Sequence, residues 1–245
     1  MRVFHHYRNH NFAVHGQTIP KLKSTAMSFP SYSYAPKRLL ESFRELKSSE
    51  ETKQTDLGES SSDSNGRGDG NNGKFVVAAV QLTAGALADN NVQGFLERAK
   101  DAVHIAVEEK KADLVLLPEL FLGPYFCQSQ EACLQNLAME IIVENNTNPS
   151  QGESYNFLIE TMRAIAKKYG VVLPVSLFER KNNTLYNSIV MIDSDGSVFP
   201  NVYRKSHIPD GTGYQEKFYF SPGDTGFQVW NTKVGKVGVA ICWDQ

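Results

Sequence analysis

The strands of this chain have no polar face. "KFVVAAVQL" (Lys74–Leu82), "ADLVLLPE" (Ala112–Glu119), "VVLPVSLFE" (Val171–Glu179) and "GKVGVAIC" (Gly235–Cys242) are short, nearly unbroken apolar runs. A strand apolar on both sides must be covered on both sides. Between the first two runs, apolar residues fall at Val92, Phe95, Leu96, Ala99, Val103, Ala106 and Val107, with charges opposite. That is helical spacing and predicts a helix over Val92 to Val107. Strand, helix, strand in this order implies an α/β layered fold.

The same reading continues down the chain. Cys127 to Val143 is expected to be helical, and Tyr155 to Tyr169 is a second helix stopped by Gly170. "LYNSIVMI", "DSDG" and "SVFPNVYRK" (Leu185–Lys205) read as a hairpin with Asp195-Gly196 as the turn signal. No internal repeat is found.

Residues 1–73 are different. The first forty hold no Asp or Glu but carry Arg2, Arg8, Lys21, Lys23, Lys37 and Arg38 with many Ser and His. That composition suits an organelle transit peptide, a plain basic tail, or a stretch ahead of a true start at Met27. The protein is accordingly expected in the cytoplasm, or in a mitochondrion or plastid if the extension is a transit peptide. "PKRLLESFRELKSS" (Pro36–Ser49) has room for two helical turns. "GESSSDSNGRGDGNNG" (Gly58–Gly73) has almost nothing to bury and reads as a flexible linker. Two regions are therefore expected: 1–73, a disordered extension, and 74–245, the folded part.

Composition excludes more than it proposes. The net charge of −2 over 245 residues gives no reason to expect a nucleic-acid surface, and no apolar run nears the roughly 20 residues of a membrane span. Cys127, Cys133 and Cys242 are an odd set with no CxxC pair, which argues against a disulfide framework or structural zinc. Four of the six His lie in the first 15 residues, and His104 and His207 stand alone, so no metal is expected.

Three reactive side chains fall at or just past apolar strands: Glu119 after "DLVLLP", Lys205 after "VYR" and Cys242 after "VGVAI". Ligands gather at the carboxyl ends of strands in open α/β sheets. A cysteine thiolate is a nucleophile, but a free thiol has a pKa near about 8.5 and needs help at neutral pH. A lysine ammonium favours the thiolate and can hold an oxyanion, and a glutamate can take the thiol proton and pass it to a leaving amine. Each residue also has a plain reading: a solvated carboxylate, a surface lysine, a small core hydrophobe. Spacing alone does not bring the three together.

"LVLLPELF", "YRKSHIPDG" and "GVAICWDQ", in that order, resemble the three catalytic motifs of the nitrilase superfamily of carbon–nitrogen hydrolases. The resemblance covers about Lys74 to Gln245. "PELFLGPYFCQ" (Pro118–Gln128) and "YRKSHIPDGTGYQEKFYFSPGDTGFQVW" (Tyr203–Trp230) are closest to a branch that hydrolyses a small carbamoyl amine in polyamine synthesis. The resemblance implies an α-β-β-α sandwich that forms homo-oligomers when complete. It implies Glu119 as general base, Lys205 as oxyanion-stabilising lysine and Cys242 as nucleophile. Glu216 would position the lysine and substrate, and the Trp243 backbone N–H would complete the oxyanion hole. Tyr125 and Phe126 fall where the family lines its pocket, with a core role equally open, and His207 would hold its loop. No cofactor is implied. Other branches, such as β-ureidopropionases, ω-amidases and nitrilases, would keep the same three residues.

In that family the cysteine motif leads into a helix and a second half of the sheet, roughly a hundred further residues. The chain is therefore expected to be an N-terminal portion of a longer enzyme, truncated after the nucleophile motif, with little activity alone. A non-catalytic role, pairing with a full-length homologue, is the alternative from outside enzymology.

Overall fold

The runs Ala112–Glu119, Val171–Glu179 and Leu185–Ile192 divide their side chains between two cores, while Gly235–Cys242 gives its buried residues to one. In the computed structural model, which describes residues 2–3, 75–82, 91–144 and 153–245, Val115, Leu173, Val190 and Ile192 join one cluster. Their chain neighbours Leu114, Val172, Ile189 and Met191 join another. Successive residues of a strand point to opposite faces, so runs without a polar position supply both cores at once. The expected extension and linker, and the turns expected within Pro36–Ser49, lie outside the described residues apart from Arg2–Val3.

The elements run β1 (Arg2–Val3), β2 (Val77–Ala79), α1 (Val92–Glu108), β3 (Leu114–Leu116), β4 (Ile142–Glu144), β5 (Glu153–Tyr155), α2 (Phe157–Tyr169), β6 (Leu173–Lys181), β7 (Thr184–Ile192), β8 (Tyr203–Arg204), β9 (Val229–Thr232) and β10 (Gly235–Val239). β2 and β3 pair in parallel, joined by the α1 crossover. β6, β7 and β8 form an antiparallel sheet. Backbone bonds from Val115 to Val172 and from Val172 to Asp113 stitch β3 onto the start of β6. β9 and β10 pair antiparallel, and β1 lies parallel to β10 with Arg2 against Gly238. β4 and β5 form a separate antiparallel pair.

The first cluster lies between the helices and the sheet, with Val92, Leu96, Ala99 and Val103 of α1 and Leu158, Ile159, Met162 and Ala166 of α2. The second takes Trp230, Val237, Val239 and Ile241 from the β9–β10 side. This is the α/β layering read from the sequence. Both helices are capped by asparagine: Asn91 accepts from the Gly94 N–H at 2.7 Å, and Asn156 from the Ile159 N–H at 3.0 Å. α2 ends at Gly170, whose φ of 64° is left-handed.

The helix expected over Cys127 to Val143 is not there. That stretch holds two 3₁₀ turns, Phe126–Gln128 and Ala132–Leu137, and then β4. Its backbone is claimed from outside: the Tyr219 hydroxyl donates to the Ser129 carbonyl and accepts from the Glu131 N–H. The Met139 N–H bonds the Phe178 carbonyl, and the Met139 carbonyl accepts from Arg180. The hairpin centred on Asp195-Gly196 is present, with Gly196 at φ 83° and its N–H on the Asp193 carbonyl at 2.9 Å. A second hairpin, unread in the sequence, turns at Asn182–Asn183 between β6 and β7, with Asn182 at φ 54°.

Candidate active site

β7 and β8 lay out the site by register. Ser188 pairs with Arg204 and Ile189 with Tyr203, so Asn187 stands opposite Lys205, whose N–H donates to the Asn187 carbonyl at 2.8 Å. Asn187 and Lys205 then project on one face, and Ser188 and Arg204 on the other. On the second face Glu179 takes Arg204 through Nε at 2.7 Å and Nη2 at 2.6 Å, and also accepts from the Ser188 hydroxyl. On the first face Asn187 and Lys205 both reach Glu119.

Glu119 sits three residues past β3. The next residue, Leu120, has φ 53°, a conformation a branched side chain resists, and its N–H is held by the buried Ser176 hydroxyl at 2.9 Å. This bond fixes the turn that aims Glu119. Lys205 is 0% exposed. Its Nζ lies 3.1 Å from Glu119 Oε1 and 2.7 Å from Glu216 Oε2. Glu216, at the start of the 3₁₀ turn Glu216–Phe218, also accepts from the Tyr125 hydroxyl at 2.7 Å. Asn187 Nδ2 donates to Glu119 Oε1 at 2.5 Å. A buried ammonium thus lies between two buried carboxylates, and each carboxylate has its own neutral donor.

The charges bias one another. Burial pulls the Lys205 ammonium down, but the two carboxylates, Glu119 first, outweigh it and hold the group above the ordinary lysine value. Burial, then repulsion by Glu119, push Glu216 above the ordinary carboxylate value against the pull of Lys205. Burial, then Glu119, push the Cys242 thiol up to about 11, opposed by Lys205 and by the Trp243 backbone N–H. Cys242 is therefore a neutral thiol at rest, beside a carboxylate able to take its proton.

β10 ends at Val239, and Cys242 opens a 3₁₀ turn, Cys242–Asp244, three residues on. Its φ of 50° is left-handed, so the cysteine sits on a sharp turn and not within the strand run expected from "GVAIC". Trp243 is 56% exposed, its ring 6.3 Å from the Tyr214 ring. Phe126 packs with Phe178, Tyr219 and Phe220 in an aromatic cluster. His207 Nδ1 lies 3.0 Å from Asp244 Oδ1 and holds its loop there. Among the described residues no group of three or more His, Cys, Asp or Glu could hold a metal ion. No helix of the described residues is long and apolar enough to cross a membrane.

Sequence reading missed Asn187 and Ser176. A signal existed for both: a polar residue inside a strand buried on both faces needs a partner. The Asn187 side-chain oxygen has no partner among the described residues. A buried amide that leaves one end unpaired is costly, so the end facing Glu119 is the one the fold uses.

With this geometry in view, the comparisons with known proteins are specific. Residues 76–245 match the family model described as carbon-nitrogen hydrolase. An N-carbamoylputrescine amidase of Solanum tuberosum is 48% identical over 170 residues, 69% of this chain and 51% of that protein. A citrullinase of Francisella tularensis is 45% identical over 169 residues, 69% of this chain and 53% of that protein. The crystal structure of a carbon-nitrogen hydrolase from Helicobacter pylori G27 superposes with a TM-score of 0.56 at 34% identity, over 69% of this chain and 52% of that one. The chain spans about half the length of the curated relatives it matches. On its motifs, its fold and this match, the chain belongs to the carbon–nitrogen hydrolases of the nitrilase superfamily.

Proposed function

We propose that the protein hydrolyses the ureido group of a carbamoylated amine, with N-carbamoylputrescine as substrate, releasing ammonia, carbon dioxide and putrescine. The observation that carries this reading is the buried lysine bridging Glu119 and Glu216 beside the Cys242 turn. The similarity to N-carbamoylputrescine amidases narrows the substrate.

The steps follow from the charges. Cys242 Sγ attacks the carbamoyl carbon while Glu119 accepts the thiol proton, which avoids a free thiolate in a site that disfavours one. The oxygen of the tetrahedral intermediate takes negative charge near Lys205 and the Trp243 N–H. Glu119 gives its proton to the departing nitrogen, ammonia leaves, and a carbamoyl thioester remains on Cys242. Glu119 then accepts a proton from water as the hydroxyl adds to the thioester carbon, and the thiol re-forms. The carbamate released decomposes to amine and carbon dioxide. Glu216, held by Tyr125, keeps Lys205 charged and in place.

A second reading has its own support. The citrullinase match is nearly as high, and citrulline carries the same ureido group on a different tail. Ammonia release should be compared for N-carbamoylputrescine, citrulline and N-carbamoyl-β-alanine, with and without Cys242→Ala. Release from the first alone, abolished by the substitution, supports the proposal. Preference for citrulline moves the assignment to the second reading, and release that survives Cys242→Ala overturns the mechanism.

A further inference from the structure

Two residues past Cys242, Asp244 buries its whole side chain. Its oxygens collect donors from two separate segments. Oδ1 accepts the backbone N–H groups of Ser206 at 3.2 Å and His207 at 2.9 Å, and faces His207 Nδ1 at 3.0 Å. Oδ2 accepts the Ile241 N–H at 3.0 Å and the Tyr203 hydroxyl. Lys205 lies between Tyr203 and Ser206, and Cys242 between Ile241 and Asp244. We propose that Asp244 is a positioning residue that ties the nucleophile turn to the lysine loop and so sets the Cys242 sulfur against the Lys205 ammonium.

Three features argue for this over a general structural role. The three backbone N–H groups and the Tyr203 hydroxyl all present a hydrogen, and His207 Nδ1 does so in one tautomer, so the site suits a group that only accepts, as a carboxylate does. An asparagine would turn N–H bonds against one of the two segments. Second, a non-glycine residue at positive φ costs of order 1–3 kcal/mol and persists only where its surroundings hold it. Cys242 is such a residue, and Asp244 supplies the bonds that close its turn, through its side chain to the Ile241 N–H and its own N–H to the Ile241 carbonyl at 3.1 Å. Third, burial and then the bond to Asp244 push the Tyr203 phenol up, so it remains a donor throughout the working pH range. The inference takes its catalytic meaning from the reading of Cys242 as nucleophile, but its test needs no substrate.

The test is alkylation by iodoacetamide, followed peptide by peptide by mass spectrometry from pH 7 to 11.5, on the full 245-residue chain. Wild type, Asp244→Asn and Tyr203→Phe are compared. In the wild type Cys242 labelling climbs toward a midpoint at about 11. Released from its turn, the thiol leaves the burial and the Glu119 charge that hold it there. The midpoint in Asp244→Asn should fall toward the ordinary thiol value, and labelling at pH 8 should rise at least about tenfold. Tyr203→Phe, which removes one hydroxyl, should shift it the same way by less. Cys133 is exposed and Cys127 buried, so an unchanged Cys133 rate with Cys127 still protected separates local release from unfolding. An unmoved Cys242 midpoint in both variants, with Cys127 protected, overturns the proposal. If Asp244→Asn exposes Cys127, Tyr203→Phe decides by the same criterion. Absent ammonia release from every ureido substrate would strike at the proposed function and leave this result standing.

Discussion

Replacing Lys205 with methionine should strand two buried carboxylates, and the cost can be worked from their distances. At an effective dielectric of about 20, unit charges at 3.1 Å and 2.7 Å attract by about 5 and about 6 kcal/mol. Desolvation of each ion offsets much of that, and removing one partner of a buried pair typically costs about 3–5 kcal/mol. That is a large part of the about 5–15 kcal/mol that holds a domain together. With a urea slope of about 2 kcal/mol per molar, the midpoint should drop by about 2 M at pH 8. Tryptophan fluorescence reports the transition through the buried Trp230. The pH dependence has a definite sign. Glu216 already titrates above an ordinary carboxylate, from burial and then from Glu119. Without Lys205 it must titrate higher still. A carboxyl whose folded value is raised contributes stability at low pH and loses it as pH rises through that value. The deficit of Lys205→Met should therefore shrink between pH 8 and pH 5, as the site takes up a proton. Equal midpoints for variant and wild type at pH 8, or a deficit that is the same at pH 5, would refute the reasoning.

Asn187→Leu removes a donor to Glu119 together with an unpaired buried oxygen. Stability should change by less than about 1 kcal/mol in thermal unfolding, while ureido hydrolysis falls at least about tenfold in kcat. Gly223→Ala should destabilise by about 1–3 kcal/mol or more, read by urea unfolding, because the added methyl would sit 2.1 Å from the Arg204 carbonyl oxygen. The Gly223 N–H also bonds the Lys205 carbonyl at 2.8 Å, so the displacement should lower kcat as well. Tyr125→Phe frees Glu216 Oε1 from its hydroxyl donor at 2.7 Å. It should lower kcat more than it raises KM, since Tyr125 bonds the carboxylate that holds Lys205.

The parts of this fold legible in the sequence are those set by side-chain periodicity. α1 begins where its apolar stripe begins, and α2 starts two residues later than its pattern suggests because Asn156 caps it. The strands within Ala112–Glu119, Val171–Glu179 and Leu185–Ile192 are readable because residues on both their faces are buried. Cys127 to Val143 misled because its apolar residues serve tertiary contacts: Met139 binds the backbone of β6, and the Tyr219 hydroxyl holds the turn at Ser129. Such bonds leave no local trace. At the site, Glu119 and Lys205 stand out by their places after apolar runs and Glu216 by a resemblance of motifs, and only the folded chain puts one nitrogen between two carboxylates. Asn187 and Asp244 escaped notice for different reasons. One sits in a strand that reads as plain core, and the other stands beside a cysteine that drew the eye.

The alternation of Arg204, the last residue of β8, and Lys205 just past it also acts as a proofreader of strand register. A slip of one residue would exchange the two cations between faces, and each would still meet a carboxylate. Charge alone would not reject that error. Shape does: Glu179 receives two nitrogens of a planar guanidinium, a grip an ammonium cannot reproduce, while the space between Glu119 and Glu216 fits a single compact nitrogen. The pair with no part in the chemistry thus decides which cation the chemistry receives.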